Sequence, residues 1–137
     1  MPDTKTKSTL TLLAQLTKVI HRRSSEELLG IRWKHFVALS ILDEQPALAQ
    51  QSLCDRMVMD PNNCVILLNE LESLGWVERK RDPADRRRHI VELTDAGRER
   101  FERSIRARET IEDEVLGALD SDERQTLRTL LVKAIGD

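Results

Sequence analysis

A mainly helical fold carrying one small β-hairpin is what the sequence predicts, and three observations predict it. Apolar residues recur at three- and four-residue spacing over most of the 137 residues, the mark of helices with one buried stripe. Trp76–Lys80 and His89–Leu93 depart from that period and read as two short strands around an arginine-rich tip. Composition leaves few other materials: 39% hydrophobic and 34% charged, with two Phe, two Trp and no Tyr, so Leu, Ile, Val and Ala must build the core. A chain of this length makes one domain, residues 1–137, with a modest core.

The elements follow in order. Residues 8–29 read as a first helix, with Leu10, Leu13, Leu16 or Thr17, and Ile20 as its stripe and Leu12 and Val19 widening it; Gly30 breaks it. Trp33–Leu42 is a second helix, with Trp33, Phe36, Val37, Ser40 and Ile41 on its inward side and Pro46 beyond its end. Leu48 and Ala49 form a small strand or a turn. Gln51–Met57 is a short helix that turns Leu53, Cys54 and Met57 inward.

Asp60 is a good N-cap, and Pro61 fits the first helical position, where its missing N–H costs nothing. Cys64, Leu67, Leu68, Leu71 and Leu74 then make one stripe, and Gly75 supplies the stop. After the hairpin, Thr94 caps a long helix from Asp95 to about Leu119, whose wet face is dense in opposite charges. Asp120 and Glu123 have capping-box spacing and open a last helix with Leu127, Leu130, Leu131, Ala134 and Ile135, closed by Gly136.

Two short helices joined by a tight turn give helix-turn-helix geometry, whose second member enters the major groove of DNA. A basic hairpin after it is a wing. The expected architecture is therefore mainly α with a small β-hairpin wing: a winged helix-turn-helix over 31–94, flanked by N- and C-terminal dimerisation helices, 8–29 and 95–136. Those flanking stripes exceed what a small winged core covers. They pack either back on their own chain or, the reading preferred here, against a second copy.

Charge distribution says more than net charge. The chain carries −2 overall, yet residues 79–88 hold six Arg or Lys against two Asp, a local +4. Arg86, Arg87 and Arg88 at the hairpin tip are read as phosphate or minor-groove contacts rather than an idle solvated turn. Arg81 on the strand and Arg56 on the preceding helix join them. Asn62 and Asn63 either hold a phosphate at the helix N-terminus or simply cap it. Asn62, Asn63, Val65, Ile66 and Asn69 are the outward candidates for base contact, since Asn pairs with adenine and an aliphatic group meets a thymine methyl. Packing against a neighbouring helix is the competing reading of Val65 and Ile66.

Enzymatic readings fail on inventory. The chain has no G-x-S-x-G, P-loop, G-x-G-x-x-G or H-E-x-x-H, so no catalytic residue or cofactor is expected. His21, His35 and His89 are scattered and no C-x-x-C exists, so neither is a metal. Cys54 and Cys64 sit at inward helical positions and are read as buried reduced thiols rather than a disulfide or oxidant-sensing pair. No apolar run approaches the roughly 18 residues of a membrane span and the N-terminal stretch reads without a signal-peptide h-region, so no membrane partner and a cytoplasmic location are expected.

Asp82-Pro83-Ala84-Asp85-Arg86-Arg87-Arg88-His89-Ile90-Val91-Glu92-Leu93-Thr94-Asp95-Ala96-Gly97 closely resembles the wing of the MarR family of bacterial transcriptional regulators, approximately D-P-x-D-R-R-x-x-x-V-x-L-T-x-x-G. Asp60-Pro61 opening a helix, and Leu71-Glu72 before Gly75-Trp76-Val77-Glu78-Arg79, are similar too. The resemblance implies a homodimer on a palindromic double-stranded operator, more often a repressor. It implies that Arg87 enters the minor groove and that Asp85 shapes the wing. It also implies release by a small aromatic ligand, for which Trp33, His35 and Phe36 are the candidate pocket residues. Val65 and Ile66 depart from the family, which often has hydroxyl and basic residues there. A winged-helix module that binds protein without DNA is the alternative function.

Overall fold

The computed structural model describes residues 7–24 and 29–136. In chain order its elements are α1 (Thr9–Arg23), α2 (Trp33–Glu44), β1 (Ala47–Ala49), α3 (Gln50–Met57), α4 (Pro61–Ser73), β2 (Val77–Arg81), β3 (His89–Leu93), α5 (Asp95–Arg103), α6 (Ile105–Val115) and α7 (Ser121–Ile135). Two compact units result, residues 25–107 and residues 1–24 with 108–137. The mainly helical fold with a basic hairpin is the one the sequence predicts.

In the larger unit the three strands form an antiparallel sheet in the order β1-β3-β2. Leu48 and Ala49 are thus strand, and β1 supplies the second edge partner of β3: Leu48 faces Val91 while Arg79 faces Val91 from the other side. The core gathers Leu42 from α2, Leu53 and Cys54 from α3, Cys64, Leu67, Leu68 and Leu71 from α4, and Val77 and Val91 from the sheet. The stripe read on α4 is buried as expected except at Leu74, its C-cap, which is 49% exposed. Each fully buried Leu contributes on the order of 1.5–3 kcal/mol.

The caps form where the sequence puts them. Asp60 accepts from the Asn63 N–H at 2.9 Å, and Asp120 and Glu123 complete a capping box. Thr94 does more than cap. Its hydroxyl accepts from the Gly97 N–H at 3.0 Å and donates to the Gly75 carbonyl at 2.6 Å, while its own N–H reaches the Trp76 carbonyl at 3.1 Å. A Cβ on Gly97 would collide with that same Trp76 carbonyl, so the closing T-x-x-G of the wing motif is a backbone-to-backbone latch.

Four readings need correction. The inward side of α2 is His35, Phe36, Ala38, Leu39 and Leu42, with Trp33, Val37, Ser40 and Ile41 only half-buried. The helix has neighbours on several sides (α3, α4, β3 and α5), so no single apolar stripe marks its buried face. The first helix stops at Arg23, where Ser24 donates its hydroxyl to the Ile20 carbonyl at 2.6 Å; 25–28 lie outside the described residues. The long helix from Asp95 is interrupted at Ser104, whose N–H takes the Phe101 carbonyl three residues back and whose buried hydroxyl donates to the Leu29 carbonyl at 2.8 Å. Its second part ends at Val115.

The fourth correction concerns the cysteines. Both are buried, as expected, but they are bonded to each other. The turn between α3 and α4 folds back so tightly that the two Cα atoms lie 5.7 Å apart, inside the range a disulfide spans. That turn is a Schellman-type ending: Met59 N–H reaches the Cys54 carbonyl, and Val58 takes the left-handed conformation at φ 54°.

In the smaller unit, Arg23 pairs with Glu114 at 3.5 Å and Arg124 with Asp113 at 2.7 Å. Among its described residues Ile111 is the one buried hydrophobic side chain, while Leu10, Leu12, Leu13, Val19, Leu130, Leu131, Val132 and Ile135 are exposed.

A β-branched residue at positive φ is strained by about 1 kcal/mol or more, and Val58 is 90% exposed with no packing to lose. Val58→Asn is expected to raise stability by about 1 kcal/mol in urea denaturation, because Asn tolerates the left-handed region.

Candidate nucleic-acid interface

The interface candidates all lie within the larger unit, on α3, α4 and the β2–β3 hairpin. The hairpin tip is built by its acids. Asp82 accepts from the Ala84 N–H at 2.9 Å, and Asp85 accepts from the Arg87 N–H at 3.1 Å. The Asp85 carbonyl takes the Arg88 N–H and the Arg88 carbonyl takes the Asp82 N–H, both at 2.9 Å. Asx turns of this kind fix a loop backbone without long side chains. Arg81 then donates Nη1 to the Arg86 carbonyl at 2.8 Å, so it braces the wing from its strand.

What remains outside is charge. The Arg87 side chain is 94% exposed and its Nε lies 3.7 Å from Asp85, a loose surface pair. Arg86 and Arg88 are exposed beside it, and Arg56 is exposed on α3. The tip therefore presents guanidinium groups on a rigid backbone.

The outward residues of α4 divide in two. Val65 (38%) and Ile66 (56%) are exposed apolar side chains, so they are not absorbed by a neighbouring helix. Asn62 is exposed as well. Asn63, in contrast, donates Nδ2 to the capping Asp60 at 2.7 Å. Asn69 accepts from Arg79 Nη2 at 2.6 Å, which also reaches Glu72 at 3.0 Å. Sequence reasoning missed this Asn69–Arg79–Glu72 cluster, since no short spacing joins residues 69 and 79. The Arg79 guanidinium bonded to Glu72 holds that carboxyl below the usual range.

Trp33 and His35 line different cavities. Trp33 lines one of about 310 Å³ with Lys34, Val37, Met57 and Asn63. His35 borders an open cleft of about 570 Å³ with Arg32, Ile66, Asn69, Glu70, Ser73 and Leu74. Phe36 is stacked between Trp33 and Phe101, with ring centroids 5.6 and 5.5 Å away. His35 and Phe36, adjacent on the helix, point about 100° apart and meet different neighbours, whereas Trp33 and Phe36, three apart, share a face. In the cleft, His35 Nε2 lies 2.8 Å from Glu70 Oε2, and Arg32 lies 3.6 Å from the same oxygen. The His35 hydrogen bond is the largest cause holding the Glu70 carboxyl below its ordinary value. Glu70 and Arg32 carried no signal in the sequence.

The sign of the Glu72 effect is testable. A carboxyl whose folded pKa is lowered stabilises the fold fully above its ordinary value and loses that contribution as pH falls through the lowered one. Glu72→Gln is therefore expected to be less stable than the parent chain near neutral pH, and the gap in urea midpoint should close as pH falls below the ordinary carboxylate range. Glu72 is 42% exposed, so the neutral-pH difference should be modest.

Residues 31–89 match the model of the MarR family. A HTH-type transcriptional regulator of Bacillus subtilis, YdgJ, is 34% identical over 104 residues, covering 76% of this chain; the chain spans 63% of that relative's length. The transcriptional regulator HosA of Escherichia coli O111:H- is 27% identical over 121 residues, 88% of this chain and 90% of HosA. Among solved structures, a cysteine-to-serine mutant of MarR from E. coli complexed with operator DNA is 28% identical, covers 90% of each chain and superposes with a TM-score of 0.76. Together with the wing geometry, these likenesses make the chain similar to the MarR family over residues 31–89, and to winged-helix transcriptional regulators over most of its length.

Proposed function

We propose that the chain is a homodimeric repressor that binds a palindromic double-stranded operator, with α4 in the major groove and the wing, about residues 79–93, in the minor groove. The observation that carries this reading is Arg87: 94% exposed, on a tip whose backbone is held by Asp82 and Asp85. An arginine held out on a rigid narrow hairpin suits a minor groove, where negative potential is concentrated. Arg86, Arg88 and Arg56 contact phosphates. Asn62, Val65 and Ile66 face the bases, the two aliphatic residues reading thymine methyls. Asn63 and Asn69 take part only by leaving their present partners. Arg81 acts by bracing the tip, and Asp85 by shaping it.

Pairing of two copies is supported by the exposed apolar residues of α1 and α7, in a unit whose described residues bury one hydrophobic side chain. The 137 residues act as one such protomer. Residues 95–107 group with the compact unit of the reader rather than with the pairing helices, so pairing falls mainly to α1, α7 and the end of α6. Among the described residues no helix is long and apolar enough to cross a membrane.

Release by a small aromatic ligand is supported by the cleft beside His35. It is large enough for one ring, has Arg32 and His35 for an acidic substituent and Ile66 and Leu74 for the ring, and borders α4 directly. Exposed Val65 and Ile66 are the observation that favours a protein-binding module instead. A titration insensitive to salt, with no duplex selected from a random library, would support that alternative.

Arg87→Ala is expected to weaken operator binding by about 1–3 kcal/mol in fluorescence anisotropy, with a shallower salt dependence and unchanged assembly. Unchanged affinity would remove the wing from the interface. Leu130→Asp, placing a charge on the exposed face of α7, is expected to yield monomers in sedimentation; a persistent dimer would put pairing elsewhere.

A further inference from the structure

Alternation puts Val77, Arg79 and Arg81 on one face of β2, and burial falls along them towards the tip. Val77 belongs to the core, the Arg79 side chain is 21% exposed, and Arg81 is exposed. The sheet narrows over the same rows. β1 pairs with β3 as far as Ile90, so beyond the row Ala49–Ile90–Lys80 the hairpin continues with two strands. A two-stranded ribbon is marginal by itself in water. Arg79 stands one row inside that limit, opposite Val91, and from there its side chain crosses to α4. Glu72 grips it twice: Oε1 accepts from Nη2 at 3.0 Å and Oε2 from the Arg79 backbone N–H at 3.3 Å. Asn69 Oδ1 accepts from the same Nη2 at 2.6 Å. Two residues on, roughly 7 Å along the strand, Arg81 donates to the Arg86 carbonyl at 2.8 Å. Hydrogen bonds and one short stretch of strand thus join α4 to the wing tip.

Resting on the reading in which α4 takes the major groove and Arg87 the minor, we propose that Arg79 is a positioning residue for DNA binding. Clamped by Asn69 and Glu72, it fixes the wing tip relative to α4, so that the two groove contacts are made as one unit. Its own guanidinium is spent inside the protein, where two of its three hydrogen bonds go to a carboxylate, the stronger kind. Once α4 is docked, a clamped tip meets the minor groove at high effective concentration. A tip that swings about the Ile90 row meets it at a lower one. The affinity contributed by Arg87 therefore depends on Arg79, although the two share no hydrogen-bond partner among the described residues.

A double-mutant cycle tests this, read by fluorescence anisotropy at fixed salt on one duplex selected from a random library. Arg87→Ala is introduced into the unaltered chain, into Arg79→Met, which keeps the aliphatic stem and loses the donors, and into Glu72→Gln. Expected is a loss of about tenfold in the unaltered chain, about twofold in Arg79→Met and an intermediate factor in Glu72→Gln. A loss of about tenfold in all three backgrounds overturns the clamp, since a side chain that merely supports the fold, or meets phosphate itself, leaves the share of Arg87 whole. Circular dichroism checks that Arg79→Met is folded. Where it is not, Glu72→Gln decides: a diminished cost of Arg87→Ala supports the clamp, and an undiminished one overturns it. No cost of Arg87→Ala in the unaltered chain removes the wing as a contact and the clamp with it. Failure of the unaltered chain to select any duplex overturns the DNA-binding reading itself.

Discussion

The Thr94–Gly97 latch is the constraint on which the geometry of the larger unit depends. One hydroxyl joins the start of α5 to the Gly75 carbonyl at the end of α4, and the missing side chain at Gly97 lets α5 sit on the Trp76 carbonyl. The same few atoms therefore fix where α4 ends, where β2 begins and where β3 gives way to helix. A Cβ at 97 would force backbone from backbone, which no rotamer change relieves. Because β3 is hydrogen-bonded on both edges, with Val91 fully buried, displacement at its end propagates to the root of the wing.

Much of this was legible in the sequence because it is encoded locally. The cap at Asp60, the stripe of Cys64, Leu67, Leu68 and Leu71, the stop at Gly75 and the two strands depend on neighbours within a few residues. The acids of the wing act on N–H groups two residues away, so the shaping role that the family resemblance implied for Asp85 has a visible physical cause. What stayed illegible is what tertiary packing decides. The buried face of α2 follows from having neighbours on several sides, and the Cys54–Cys64 bond follows from a turn whose tightness lies in the φ of Val58.

The candidate site shows the same division. The exposed arginines of the tip could be named from a charge run after a capped helix. The partners that occupy Asn63, Asn69 and Arg81 could not, and they change what those residues can do. A side chain already hydrogen-bonded exchanges one partner for another on meeting a base, and the net gain is small. The aliphatic pair Val65 and Ile66 carries no such prior engagement and becomes correspondingly more important to sequence preference. Trp33, His35 and Phe36 are candidates by their place at the junction of the flanking helices and the reader; Trp33 and Phe36 do stack, while His35 turns toward Glu70.

The uneven charge of the chain has a consequence for how it turns in solution. A chain of net −2 that carries a local +4 at its wing holds −6 on its other residues, so its positive charge is concentrated in one place. At physiological ionic strength, charges more than about 8 Å apart are largely screened, so a polyanion at contact range feels the tip and little of the rest. Approaches with Arg86–Arg88 leading are held, and others gain little. The arrangement works as an orientational filter on encounter, a property that the overall charge of −2 conceals.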